Sequence, residues 1–272
     1  MVPTLDYLDA VIVTEGREDV QILEALLARW GWQRQEKEDR KTWSRGGLEI
    51  QVVPERGEGG GRGNIPALVS KYLKQSDLII VVFDPDDQPY EEVIRDLFGK
   101  IWEKLQTDAW SEGSLEGDRF IREIQDRTRI RAIQDGSGRV AWLAFWPAAV
   151  WDMDLAHSMM DYVLTLLRQE KILEQSLRLL QQTRAEERIS AQQVIKKHCE
   201  ILKLLKDQGV VVSSSKRELD FLKALLGFRE GYGKLGAKVI ENKEVSWEDL
   251  EGVFGDMIRF MERLLAVVQR ER

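Results

Sequence analysis

Short apolar runs alternate with amphipathic segments through the first 150 residues of the chain. The runs predict buried β-strands and occur at residues 9–13, 48–53, 78–83, 129–134 and 139–146. The segments repeat apolar residues every three or four positions, which predicts helices, and they occur at residues 17–30, 64–75 and 89–106. Such alternation predicts an α/β fold with a mostly parallel sheet flanked by helices.

The pattern changes near residue 150, and from residue 153 onward it is almost entirely helical. Long amphipathic stretches cover residues 155–182 and 189–206, and a last helix begins near Trp247. We therefore predict an α/β domain over residues 1–150 and an all-helical domain over residues 151–272. Two further segments of the first half lie between these elements. Residues 33–44 are predicted to be irregular, and residues 120–124 are predicted to form a short helix.

Composition narrows the class of protein. The chain has 272 residues, 43% of them hydrophobic, and a net charge of −7. One cysteine excludes a disulfide framework and a cysteine zinc site. No window reaches the ~18 apolar residues of a membrane span, and the start lacks the features of a secretory signal. We expect a cytoplasmic protein without membrane contact, in which a local basic channel remains compatible with the overall negative charge.

Acidic residues follow two of the predicted strands. Glu15-Gly16 follows the first strand, and Asp84-x-Asp86 follows the strand that ends at Phe83. The carboxyl ends of parallel strands form the edge at which α/β sheets bind ligands. Two acids separated by one residue point the same way on an extended backbone. Carboxylate oxygens suit Mg²⁺ or Mn²⁺, so we predict a metal site formed by Glu15, Asp84 and Asp86, with Asp19 one helical turn away.

Two motifs in this region resemble the Toprim domain, and the resemblance covers residues 9–150. The motifs are Val13-Thr14-Glu15-Gly16-x-x-Asp19 and Phe83-Asp84-x-Asp86. Topoisomerases, bacterial primases, recombination-mediator proteins, small ribonuclease-maturation enzymes and the overcoming-lysogenization-defect nucleases share this domain. The resemblance is to small stand-alone Toprim-like proteins. It implies that Glu15 is the general acid/base in phosphodiester chemistry and that the aspartates bind magnesium, with Asp19 and Asp87 as candidates for a second ion.

The chain departs from the Toprim pattern after the second motif. Gln88-Pro89 stands where a glycine is usual, which indicates a different substrate approach or a weakened active site. One cysteine excludes the zinc ribbon of a primase. The chain has no G-x-x-x-x-G-K-[ST] motif, so we expect the ATPase half of the overcoming-lysogenization-defect proteins to be missing or to lie on another polypeptide.

Glycine-rich segments with basic residues are candidates for contact with phosphate. Gly16 allows close backbone approach, and glycine N–H groups at a helix start can hold phosphate. The candidate residues for binding phosphate or nucleic acid are Gly16, Arg62, Gly63, Lys216, Arg229 and Lys234.

Two functions from different classes fit these patterns. The first is a magnesium-dependent phosphoryl-transfer enzyme, a nuclease that cleaves DNA or RNA. The second is a non-catalytic module that binds a nucleotide or nucleic acid and docks a partner protein through its helical half. The long helices also allow a homodimer.

Overall fold

The computed structural model describes residues 8–37, 40–55, 62–86, 88–112, 130–148, 158–181, 219–220, 222–224 and 226–270. The strands in these ranges are β1 Leu8–Thr14, β2 Gln33–Lys37, β3 Arg40–Arg45, β4 Leu48–Pro54, β5 Leu78–Phe83, β6 Ser111–Glu112, β7 Arg131–Gln134 and β8 Val140–Pro147. The helices are α1 Arg17–Arg29, α2 Ile65–Leu73, α3 Tyr90–Thr107, α4 Met159–Leu167, α5 Glu170–Gln181, α6 Tyr232–Glu241 and α7 Trp247–Arg270.

The described strands form one sheet in the order β2-β3-β4-β1-β5-β8-β7-β6. The four central strands, β4, β1, β5 and β8, are parallel to one another. Antiparallel strands complete the sheet on both sides. The α/β prediction is therefore confirmed, with a parallel centre and antiparallel edges.

The prediction of an irregular segment at residues 33–44 is wrong, because β2 and β3 form an antiparallel hairpin there. Most described side chains of this hairpin are exposed and polar, so it lacks the apolar alternation that marks a half-buried strand. A tryptophan cluster anchors it instead. Trp30, Trp32 and Trp43 are buried together, and the Arg45 guanidinium lies 5.6 Å from the centre of the Trp30 ring. The predicted helices at residues 120–124 and 189–206 lie outside the described residues.

Alternating side chains on the parallel strands divide the core into two layers. Ile12, for example, belongs to the cluster that contains α1, whereas its neighbours Val11 and Val13 belong to the cluster that contains α2 and α3. The chain leaves β1 through α1 toward β4, but it leaves β5 through α3 toward β8. The connections that follow the adjacent strands β1 and β5 therefore lead toward opposite ends of the sheet. This divergence makes their carboxyl ends a topological switch point, the place where open α/β sheets bind ligands.

The described helices of the second half of the chain share a hydrophobic cluster with α1 and one face of the sheet. Arg29, at the end of α1, donates hydrogen bonds to the carbonyl oxygens of Ile240 and Asn242, at 3.1 and 2.7 Å. These bonds satisfy carbonyls at the end of α6 that lack helical partners. The predicted continuous helix at residues 155–182 is interrupted at residues 168–169, between α4 and α5. A domain boundary near residue 150 stays a prediction.

Gly233 tests how closely α6 packs on α1. A Cβ atom on Gly233 would lie 2.5 Å from the Cα of Glu18 and 2.7 Å from its carbonyl oxygen. Gly233→Ala is expected to lower the free energy of unfolding by about 1–3 kcal/mol, because the two backbones must separate. Chemical denaturation followed by tryptophan fluorescence measures the change.

The matched control is Gly252→Ala in α7. In the described structure an added Cβ there meets nothing within 4 Å apart from the backbone of its own helix. This variant is expected to raise the free energy of unfolding by about 0.5–1 kcal/mol, because alanine favours the helix. Equal effects of the two substitutions would contradict the close packing of α6 on α1.

Candidate functional site at the switch point

Three adjacent parallel strands each end in an acidic residue at the same edge of the sheet. Glu15 follows β1, Glu55 follows β4 and Asp84 follows β5. The N–H of Glu55 donates to the carbonyl oxygen of Thr14 at 2.8 Å, which extends the pairing of β1 with β4 by one residue. Glu55 is absent from the residues predicted from sequence. Its position within two residues of the end of a predicted strand, shared with Glu15 and Asp84, is the signal that identifies it.

Glu15 and Asp84 are joined across the switch point. The Oε1 atom of Glu15 accepts a hydrogen bond from the backbone N–H of Asp84 at 3.1 Å. The Oδ1 atom of Asp84 accepts one from the N–H of Met159, the first residue of α4, also at 3.1 Å. The unpaired N–H groups and the dipole at a helix start favour a negative charge there. Asp84 therefore connects the sheet edge to the second half of the chain.

Asp19 caps the start of α1. Its Oδ2 atom accepts a hydrogen bond from the N–H of Gly16 at 2.9 Å, and the hydroxyl of Thr14 donates to the carbonyl oxygen of Gly16 at 2.9 Å. These bonds fix the turn between β1 and α1. The side chain of Asp19 is only 7% exposed, so a second carboxylate is buried beside Glu15.

Burial raises the pKa values of three carboxyl groups at this edge. The pKa of Asp84 rises to about 8, chiefly because the group is buried and further because of the charges of Asp19 and Glu15. Burial raises the pKa of Glu15 to about 7, although Arg62 acts in the opposite direction. Burial likewise raises the pKa of Asp19 to about 6 against the effect of the Gly16 N–H. The site therefore favours protons or another source of positive charge.

Arg62 bridges two of the predicted site residues. Its Nε atom lies 3.0 Å from Oε1 of Glu15, and its Nη2 atom lies 2.9 Å from Oδ2 of Asp86. The side chain of Glu15 is 14% exposed and that of Asp86 is 65% exposed. Arg62 thus links the interior of the cluster to its rim.

Asp86 does not continue the extended backbone of β5. The strand ends at Phe83, and Asp86 has a φ of 52°, in the left-handed region. The N–H of Gln88 donates to the carbonyl oxygen of Pro85 at 3.1 Å, which closes a turn. The expectation that Asp84 and Asp86 lie on one extended segment is therefore wrong, because the chain turns directly after the strand.

The donor set suits a hard divalent cation, but it is not arranged as a closed shell of ligands. Among the described residues, no group of three or more His, Cys, Asp or Glu side chains is placed to hold a metal. Mg²⁺ requires few protein ligands because it retains several waters. Glu15 and Asp84 supply half-buried carboxylates from adjacent strands, while Arg62 supplies the positive charge beside Glu15 and Asp86. The metal roles of Glu15, Asp19, Asp84 and Asp86 stay predictions.

The remaining predicted residues lie in two places. Arg62 and Gly63 lie at the sheet edge, next to Asn64 at the start of α2. Lys234 is in the first turn of α6 and forms an ion pair with Glu230, and Arg229 is exposed just before that helix. Lys216 and Asp87 lie outside the described residues.

The start of α6 lies beside the start of α1. The N–H of Tyr232 donates to Oε1 of Glu18 at 3.1 Å. Glu18 precedes the buried Asp19, so this hydrogen bond brings the glycine-rich segment at residues 227–236 close to the switch point.

These features define an α/β protein with a partly buried acidic cluster at a topological switch point. No protein-family model matches the chain, and no curated protein matches it. Hypothetical protein PH0156 from Pyrococcus horikoshii OT3 has a similar solved structure, with a TM-score of 0.53 and 14% identity, over 97% of this chain and 98% of that chain. At this identity the likeness shows the fold alone.

A second solved structure is an integron cassette protein from the mobile metagenome of V. cholerae. It is 10% identical over 54% of this chain and 99% of that chain, with a TM-score of 0.16. No helix in the described part of this protein has the length and apolar character needed to cross a membrane.

The raised pKa values predict that the fold is more stable in acid than at neutral pH. A carboxyl group with a higher pKa in the folded protein binds more protons there than in the unfolded chain. The free energy of unfolding therefore falls as the pH rises from about 4 to about 8 and levels off above that range. In Asp84→Asn, the amide oxygen can still accept from Met159. We expect this variant to gain on the order of 2 kcal/mol more stability at pH 8 than at pH 5.

Denaturant unfolding at the two pH values, without divalent cations, measures this gain. The control is Asp96→Asn, which changes an exposed carboxylate of α3 that pairs with Lys100. The control should show the same change in stability at both pH values. A gain for Asp84→Asn that does not depend on pH would contradict the raised pKa of Asp84.

Proposed function

We propose that this protein is a Toprim-like, divalent-cation-dependent phosphoryl-transfer enzyme, a nuclease that cleaves DNA or RNA phosphodiesters. One observation supports this proposal above the others. Glu15 and Asp84 are hydrogen-bonded across the switch point, and burial raises the pKa of both carboxyl groups. Such a pair gains stability from a bound cation, and a phosphodiester substrate brings the opposite charge to the same cation.

The proposed roles follow from the surroundings of each residue. Glu15 acts as the general acid/base, which is the role that the Toprim resemblance implies for it, and it is positioned beside Asp84 and Arg62 at the sheet edge. Asp84, Asp86 and Asp19 hold the cation, with Glu15 as a shared ligand. When bound, Mg²⁺ or Mn²⁺ stabilises negative charge that develops on the phosphate. Arg62, Gly16 and Gly63 are the nearest candidates for contact with phosphate.

A non-catalytic binding module is the second candidate. One observation favours it: Arg62 already supplies a positive charge to Glu15 and Asp86. The departure from the Toprim pattern at Gln88-Pro89 is also compatible with this function. In this case the edge binds a nucleotide or nucleic acid, with Arg229, Lys234 and Lys216 as further contacts. The helices of the second half dock a partner, such as a separately encoded ATPase or a second copy of the chain.

Substitution of the acids tests the enzymatic function. We expect the purified protein to cleave labelled DNA or RNA with Mg²⁺ or Mn²⁺, and to lose the activity when a chelator removes the cation. Glu15→Gln and Asp84→Asn should each lower the rate by about 100-fold or more, the loss typical when a general acid/base or a metal ligand is removed. Asp96→Asn controls for the loss of one carboxylate elsewhere and should retain the full rate.

Two results would decide against this function. One is the absence of both cleavage and cation binding across single-stranded and double-stranded DNA and RNA. The other is an Asp84→Ala/Asp86→Ala double variant that loses no activity. Binding of nucleic acid or a partner protein that survives in the double variant, with no cleavage by the unchanged protein, would support the binding module.

A further inference from the structure

Arg62 bridges the half-buried Glu15 and the exposed Asp86 of the acidic cluster. Its guanidinium contacts Oε1 of Glu15 and Oδ2 of Asp86 at 3.0 and 2.9 Å. The side chain of Arg62 is 27% exposed, so the contact with Glu15 is partly shielded from water. Ion pairs shielded in this way are stronger than exposed ones. Arg62 therefore acts as the counter-ion of two predicted metal ligands.

The backbone around Arg62 is anchored independently of its guanidinium. The N–H of Asn64, two residues later, donates to Oε1 of Glu55 at 3.2 Å. Glu55 is 6% exposed, and its other oxygen, Oε2, is buried without a hydrogen-bond partner in the described structure. A buried carboxylate oxygen in this state is costly. Glu55 thus fixes the start of α2 beside the site through a contact that does not involve the Arg62 guanidinium.

Arg62 and a divalent cation compete for the same oxygens. Oε1 of Glu15 already accepts from the N–H of Asp84 and from Nε of Arg62. A cation that used Glu15 and Asp86 would lie next to the guanidinium, and the two positive charges would repel each other. Once displaced, a guanidinium is well suited to bind phosphate through two parallel hydrogen bonds.

We infer that Arg62 is an exchangeable internal cation. In the cation-free protein it pairs with Glu15 and Asp86; a divalent cation displaces it, and the released guanidinium binds a phosphate of the substrate. Glu55 is the positioning residue that holds the Arg62 backbone at the site in both states. This inference rests on the proposed function, because it requires that the cluster bind a divalent cation.

The first experiment titrates Mn²⁺ alone into the full-length protein by calorimetry. Arg62→Gln is expected to bind Mn²⁺ about tenfold more tightly than the unchanged protein, because a neighbouring positive charge is removed. The matched control is Arg259→Gln in α7, where the arginine pairs with the exposed Asp256. The control should bind Mn²⁺ within about twofold of the unchanged protein, because a distant exposed charge is screened.

The second experiment measures binding of a fluorescent phosphorothioate oligonucleotide in Ca²⁺, as DNA and as RNA. Arg62→Gln is expected to weaken this binding by about fivefold or more, because a charged phosphate contact is lost. Opposite changes for Mn²⁺ and the oligonucleotide support the exchange, whereas a variant that is merely misfolded weakens both. Glu55→Ala should also weaken oligonucleotide binding, and Glu55→Gln should restore it, because an amide oxygen can still accept from Asn64.

The outcomes separate this inference from the proposed function. If the unchanged protein binds Mn²⁺ and Arg62→Gln binds it equally or less tightly, the exchange is wrong and the metal site stands. If oligonucleotide binding alone weakens, Arg62 is a simple phosphate contact and the exchange is again wrong. If neither the unchanged protein nor any variant binds Mn²⁺, the proposed cation-dependent function is wrong. The inference is then wrong as well, because it requires a bound cation.

Discussion

Burial of carboxylates at the carboxyl ends of β1 and β5 is the constraint on which the rest of the site depends. An ionised carboxylate loses most of its hydration on burial, and the loss must be offset by hydrogen bonds or opposite charge. Here the offsetting groups come from different elements. Glu15 uses the N–H of Asp84 and the side chain of Arg62, and Asp84 uses the N–H of Met159. The groups that make burial tolerable also tie the turn after β5, the start of α2 and the start of α4 to one edge of the sheet.

The two halves of the chain meet at this edge. The hydrogen bond between Asp84 and Met159 joins residues 75 positions apart, and that between Glu18 and Tyr232 joins residues 214 apart. In both bonds a carboxylate accepts from an N–H at a helix start, and the helix dipole favours a negative charge there. Asp84 follows β5 and accepts from the start of α4, whereas Glu18 lies at the start of α1 and accepts from the start of α6. Helix starts from the second half therefore contribute to the electrostatics of the acidic cluster. A change in how α4 or α6 packs would alter the surroundings of Asp84 and Asp19.

Local patterns in the sequence predict the parallel centre of the sheet, because buried strands such as β5 are continuous apolar runs. They also predict the acids that directly follow β1 and β5. The hairpin of β2 and β3 escapes prediction because its charged residues are exposed and its tryptophan anchor includes Trp30 and Trp32, which precede it. The pairing of Arg62 with Glu15 and the hydrogen bond that Asp84 accepts from the Met159 N–H depend on tertiary contacts between distant residues. Neither contact has a local signal in the sequence, so the arrangement of the site can be seen only in the folded structure.

The turn after β5 is made by a residue other than glycine. Asp86 itself takes the left-handed conformation, with a φ of 52°, which costs about 1–2 kcal/mol for a residue other than glycine. Pro89 then precedes the first residue of α3 as its N-cap, so the turn leads directly into the helix. The ion pair with Arg62 holds the side chain of Asp86 in this turn. Loss of the arginine from Asp86 would therefore remove one contact at the residue that carries the backbone strain.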